Sequence, residues 1–219
     1  MTRNEQEKRD SADDGYIKLR EAILSRQFMP NERLVELDLA RSLNVGRAAI
    51  RTALARLEQE GLVTREPNRG ARVRLVSEAE AVEIIEARAA LECLAVRYAA
   101  KNASEDDITE LRSILSELRQ RYEGDDLLGY SDTNAVLHRK LLQIANHAIA
   151  SRLIDMLKSQ SVRFQYRIIL IPGRAEQSLK EHTAIVEAVA TRDPDVAEAA
   201  MRTHMGQVAQ ALRRADRNV

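Results

Sequence analysis

The chain has 219 residues, 44% hydrophobic and 31% charged, with Lys+Arg and Asp+Glu balanced at 34 each. That apolar content excludes a disordered or collagen-like chain and suffices for one large or two ordinary domains. One cysteine, Cys93, excludes an internal disulfide framework and fits a reducing cytoplasm, while only 8 glycines and 4 prolines favour helices.

Residues 1–12 are polar and unpatterned, lack the apolar segment of a secretory signal, and read as a mobile tail. Over 16–26, Ile17, Leu19, Ala22, Ile23 and Leu24 recur at helical spacing, and Pro30 ends that pattern. A short helix is expected over 36–43, with Leu39, Ala40 and Leu43 on its apolar side and Leu37 at the edge. Asn44-Val45-Gly46 is a turn, and a third helix runs over 47–60, closed by Gly61. The period then changes. Segments 62–65 and 71–75 are short and rich in β-branched residues, with a turn over 66–70. Three helices plus a β-hairpin wing within 13–76 make a winged helix-turn-helix. From 77 to 214 helical periodicity is nearly continuous, broken around 102–106, 124–126, 146–147, 172–173 and 193–194. A mainly α protein is expected, its region 77–219 an all-α bundle of about six helices with room for a cavity. The longest apolar run, Ile168 to Ile171, is too short to span a bilayer, so no membrane partner is expected.

The zero net charge conceals an asymmetry. Residues 13–76 carry 12 Lys+Arg against 9 Asp+Glu, whereas 77–219 carry 19 against 22. On the third helix Ile50, Leu54 and Leu57 form a buried face, and Arg47 and Arg51 stand one turn apart on another. Two guanidiniums near a helix N-terminus can reach a major groove, binding guanine bidentately or clamping phosphate. Ala48 and Ala49 keep that end slim. Arg69-Gly70 at the hairpin tip suits a wing against a minor groove. Taken alone, the same residues suit a solvated helix face and a simple turn; the surrounding helix-turn-helix pattern favours DNA.

The segment LVELDLARSLNVGRAAIRTALARLEQEGLVTREPNRGARV resembles the DNA-binding domain of the GntR family, whose pattern reads LA-x-x-L-x-VSRTPVREAL-x-x-L-x-x-EGLV before a G-x-x-V wing. The resemblance implies operator contacts from Arg47 and Arg51 and a wing tip at Gly70. Gly46 stands where Ser or Thr is usual, Ala48-Ala49 replaces Thr-Pro, and Thr52 replaces Glu. The expected contact set is Arg47, Ala48, Arg51, Thr52, Arg69 and Gly70.

All four histidines lie in the second region. Asn134 and His138 share one helix face, roughly 40° apart. His182 and His204 are placed for adjacent antiparallel helices joined at Asp193-Pro194. Three imidazoles and an oxygen donor can hold a divalent ion, and they can also be ordinary satisfied or surface histidines. His147, at a helix end, reads as a capping or surface residue. Arg88 and Glu92 fall on the apolar stripe of Ala81, Ile85, Ala95 and Ala99. They are a structural ion pair or a carboxylate-binding arginine with its support. Arg163, Tyr166 and Arg167 could complete such a pocket.

The segments VEIIEARAALECLAVRYAA, NAVLHRKLLQIANH and PGRAEQSLKEHTAIVEAVATRDPDVAEAAMRTHM resemble the FCD ligand-binding domain of the FadR subfamily. That resemblance implies a metal site of Asn134, His138, His182 and His204, with zinc foremost and nickel or manganese as alternatives. It also implies that Arg88 lines an effector pocket, which Glu92, Arg163 and Tyr166 are expected to complete, along with a homodimer on double-stranded operator DNA and repression relieved by a small organic acid. Asn134 stands where Asp is commoner, and Leu137 where Phe is. A metal-dependent enzyme fused to a DNA-binding domain is the competing reading, but no carboxylate is spaced as a general base, with Glu181 turned about 100° from His182. A structural adaptor explains neither the arginines nor the inward polar residues. A non-enzymatic regulator is expected.

Overall fold

The computed structural model describes residues 3–66 and 70–216; the side chains of 3–12, 66, 162, 163, 165, 166, 215 and 216 lie outside that description. The chain forms two compact units, Met1–Val76 and Ser77–Val219.

The first unit contains α1 (Arg3–Leu24), β1 (Arg33–Leu34), α2 (Glu36–Ser42), α3 (Arg47–Gln59), β2 (Val63–Glu66) and β3 (Gly70–Val73). The helix expected from Tyr16 begins already at Arg3. Residues 3–14 contain neither proline nor glycine, so nothing in them stops a helix from continuing toward the N-terminus. The two-residue β1 was not foreseen. Arg33 and Leu34 pair antiparallel with Arg72 and Ala71, giving a three-stranded sheet in the order β1-β3-β2. A strand of two residues is too short to leave a period-2 signature.

Leu19, Leu34, Ile50, Ala53 and Leu57 are at most 1% exposed and, with Leu39, Leu54 and Val63, form this unit's core. Ile17, which shared the apolar spacing of α1, is instead exposed. The packing of α1 on α3 requires a glycine: a Cβ on Gly15 would lie 3.2 Å from that of Ala49. Beside this contact Tyr16 donates its hydroxyl to Glu60 at 2.6 Å, and Arg56 lies over the Tyr16 ring.

Six helices follow among the described residues: α4 (Glu78–Asn102), α5 (Glu105–Glu123), α6 (Leu127–Ala145), α7 (Ala148–Ile169), α8 (Arg174–Ala190) and α9 (Pro194–Asp216). Their breaks fall where the periodicity lapses, and side chains fix several starts. Ser77 caps α4 by accepting the Glu80 amide, Ser104 and Asp107 form a capping box on α5, and Asp126 caps α6. His147 caps α7 through Nδ1. Helix α4 packs against α6, α7 and α9, and α8 against α5 and α9. No described helix is long and apolar enough to cross a membrane.

Leu57 is fully buried and Gln59, two residues further along α3, is exposed. Leu57→Ala is expected to lower unfolding stability by about 2–5 kcal/mol, and Gln59→Ala to stay within about 0.5 kcal/mol, in urea titrations. Equal effects would contradict this placement of the core.

Candidate functional site

In the first unit the turn over 43–46 sets α3 at an angle to α2 and leaves one face of α3 open. Arg47, Ala48, Arg51 and Thr52 are all exposed on that face, while Ala49, Ile50, Ala53 and Leu54 are buried behind it. Gly46 serves as N-cap without a side-chain hydrogen bond. Thr52 donates its hydroxyl back to the Ala48 carbonyl at 3.1 Å. Arg51 is not free: its Nε and Nη2 donate to Glu36 on the first turn of α2, at 3.4 and 3.2 Å. Gly70 opens β3 with φ at +87°, which favours glycine, and an added Cβ would meet the Leu34 carbonyl at 3.3 Å. Arg69 lies outside the described residues.

In the second unit α6, α8 and α9 bring His138, His182 and His204 together. All three are buried, their rings lie 4.6–5.5 Å apart centre to centre, and one ligand atom from each falls within 4.8 Å of the others. Glu92, reaching from α4, accepts from His138 Nδ1 at 2.8 Å and from Arg88 Nη2 at 2.5 Å. Glu181 accepts from His204 Nδ1 at 2.7 Å and from Arg174 Nη2 at 2.8 Å. Burial pushes the Glu92 carboxyl upward, but Arg88 and His138 more than reverse it and hold it well below the usual carboxylate range. Burial acts the same way on Glu181, and His204 and Arg174 bring it below the ordinary value. Each ionised carboxylate can only accept, so Nδ1 carries the proton in His138 and His204, and Nε2 keeps its lone pair. His182 Nδ1 instead meets two hydroxyls, Ser178 at 3.4 Å and Tyr130 at 3.5 Å. Burial pushes the Tyr130 phenol up to about 12, so its proton stays on oxygen.

Three acceptor atoms here are buried without a hydrogen-bond partner among the described residues: Glu181 Oε1 and, with lone pairs that a cation could accept, His182 Nε2 and Asn134 Oδ1. Leaving such groups unmet costs about 1–3 kcal/mol each, and a cation accepting both lone pairs removes that cost. Three imidazole nitrogens and an amide oxygen match a divalent transition ion such as zinc. The residues therefore fit a metal, with His138, His182, His204 and Asn134 as its holders. Asp132 is exposed and takes no part.

The cluster opens into a cavity of about 730 Å³ of empty space, part of it open to solvent, lined on its polar side by Arg88, Asn134, His138, Lys158, Arg174 and His204. Arg88 Nε and Arg174 Nη1 are buried and unpartnered. Arg88 thus lies where the sequence placed it, while Glu92 bridges it to His138. Arg163 and Tyr166 are in α7, with side chains outside the described residues. Arg167 points elsewhere: it is exposed and paired with Glu78 at 2.5 Å. Sequence reasoning missed Glu181, Arg174, Ser178 and Lys158. A signal for the first two existed, because Arg174 and Glu181 are seven residues apart and so share one face of α8. Helix α8 buries a wide arc, which lets Glu181 and His182 both point inward despite their angular separation.

Residues 13–73 match the profile described as bacterial regulatory proteins, gntR family, and residues 83–207 match the FCD domain. The transcriptional repressor RspR of Escherichia coli K12 is 29% identical, over 90% of this chain and 87% of its own. The transcriptional repressor NanR of Citrobacter rodentium is 32% identical, over 87% of this chain and 80% of its own. Among solved structures, E. coli McbR/YncC superposes with a TM-score of 0.75 at 21% identity, over 93% and 97% of the two chains, a likeness of fold.

Burial, reinforced by the neighbouring positive groups, holds the His182 imidazole well below its ordinary value of 6.5; burial lowers His204 too, against the pull of Glu181. The unfolded chain therefore takes up protons first, and stability present above about pH 6.5 is lost as pH falls below it. The melting midpoint of metal-free protein should decline between about pH 7 and 5, and His182→Gln should shrink that decline. A flat calorimetric profile over that interval would contradict the buried, neutral cluster.

Proposed function

The chain belongs to the GntR family of bacterial regulatory proteins and carries an FCD domain, and from that membership we propose a ligand-controlled regulator that binds operator DNA through α3 and the β2–β3 wing. In this reading Arg47 and Arg51 contact base edges or phosphates, Ala48 and Thr52 border them, and Arg69 and Gly70 form the wing tip. One winged helix covers a short half-site, so specific binding calls for a homodimer on a pseudo-palindrome. The relatives named as repressors support the repressing direction.

The ligand is a small organic acid bound in the histidine cavity. The observation that carries this is the convergence of unmet polar atoms there: Arg88 Nε and Arg174 Nη1 as donors, Asn134 Oδ1 and His182 Nε2 as acceptors. The acceptors suit a divalent cation and the donors suit a carboxylate. A bound cation would supply a Lewis-acid point for one carboxylate oxygen. Glu92 fixes both Arg88 and His138, so the acid-binding and metal-holding side chains are set by one anchor. The acid alters operator affinity to the extent that it binds the DNA-competent and incompetent arrangements differently. Hydrolysis finds less support. The two carboxylates nearest the histidines each accept from an imidazole and a guanidinium, contacts that a general base would have to share.

Arg51→Ala is expected to weaken operator binding by about 1–3 kcal/mol in fluorescence anisotropy, with Arg47→Ala similar. Undiminished affinity in Arg51→Ala would defeat the assignment. The double substitution His182→Ala, His204→Ala should abolish metal content by elemental analysis and the response to acid, while operator binding persists. Retained metal would remove the cavity reading.

A further inference from the structure

Lys158 enters the same cavity from α7. It differs from the two arginines there in having no counter-charge. Arg88 shares Glu92 at 2.5 Å and Arg174 shares Glu181 at 2.8 Å, so each guanidinium is neutralised within the fold. Lys158 has no ion pair or hydrogen bond among the described residues. Burial lowers its pKa; Glu92 and Asp155 pull upward, while Arg88 and Arg139 repel it. Keeping an ammonium charged in such a place is costly unless an anion arrives.

Charge balance turns this into a statement about the ligand. Arg88 is paired with Glu92 and Arg174 with Glu181, so neither guanidinium brings an uncompensated charge to the lining. Among the described lining residues Lys158 is the cation without a paired carboxylate, and a divalent cation at the histidines would add to that positive charge. A single carboxylate on Arg88 would leave the ammonium uncompensated. A second acidic group on the same molecule compensates it without burying net negative charge. Because Arg88 and Lys158 line one cavity, two acidic groups carried on one small molecule can meet both, as in a short diacid.

We propose that Lys158 is a second anion-binding point of the cavity and that the effector is a short dicarboxylate, one acidic group meeting Arg88 and the other Lys158. The proposal rests on the reading of this cavity as an acid-binding site.

The test is calorimetric titration of the full chain, with and without zinc, using malonate, succinate and glutarate against propionate, butyrate and pentanoate. The best diacid should bind about ten-fold or more tightly than its chain-matched monoacid, since a charge-assisted contact is gained. Lys158→Met should reduce that ratio to about one while leaving monoacid affinity within about two-fold, and Lys158→Arg should keep the diacid preference. An unchanged preference in Lys158→Met, or no preference in the unsubstituted protein, overturns the role of Lys158. The acid-binding reading then survives if the monoacids bind and Arg88→Met abolishes their binding. If no acid binds the unsubstituted protein, both readings fall together.

Discussion

Three imidazoles can be packed against one another inside a helical bundle only if their protons are assigned and their charge is suppressed. Glu92 and Glu181 assign the protons, burial and the neighbouring cations suppress the charge on His182 and His204, and the rest of the cavity depends on that division. Each carboxylate takes the Nδ1 proton of one histidine and one arm of one arginine, so each ring's other nitrogen is turned away with its lone pair intact. The two Arg–Glu–His chains also tie α4 to α6 and α8 to α9 through side chains almost wholly removed from water. Losing either carboxylate would leave a buried guanidinium uncompensated, a change of about 3–5 kcal/mol. The buried network and the proposed ligand contacts therefore rest on the same two residues.

The first unit follows a different logic. Its charges face outward and its interior is almost wholly aliphatic. What positions its open arginine face is steric: α1 closes on α3 at Gly15 and Ala49, and the Tyr16–Glu60–Arg56 group brackets the far end of the contact. With the back of α3 so held, Arg47 and Arg51 are aimed by the helix itself.

Most of the architecture was legible because helices announce themselves over many turns. The breaks of the helical unit and the burial of Ile50, Leu54 and Leu57 follow from local pattern. Strand β1 was not legible, since two residues carry no period and its pairing with β3 is decided forty residues away. The site shows the same division. His138, His182 and His204 are unusual enough to be seen, and a family pattern joins them. Glu181 and Arg174 carry no such mark on a helix rich in charged residues, and how much of α8 is buried is settled by α5 and α9. Lys158 was invisible for the opposite reason. It is one lysine on a long helix, and its distinction is the absence of a partner among the described residues, which only three-dimensional packing reveals.

The Glu36 carboxylate lying against Arg51 changes what recognition at that side chain would measure. A guanidinium with an occupied fork gains from any new acceptor only the margin over the contact it surrenders. A well-placed guanine edge or phosphate offers that margin, and a poorly placed one loses to the resident carboxylate. In the proposed complex Glu36 would act as a resident competitor, trimming the net gain of every contact at this position by the one surrendered.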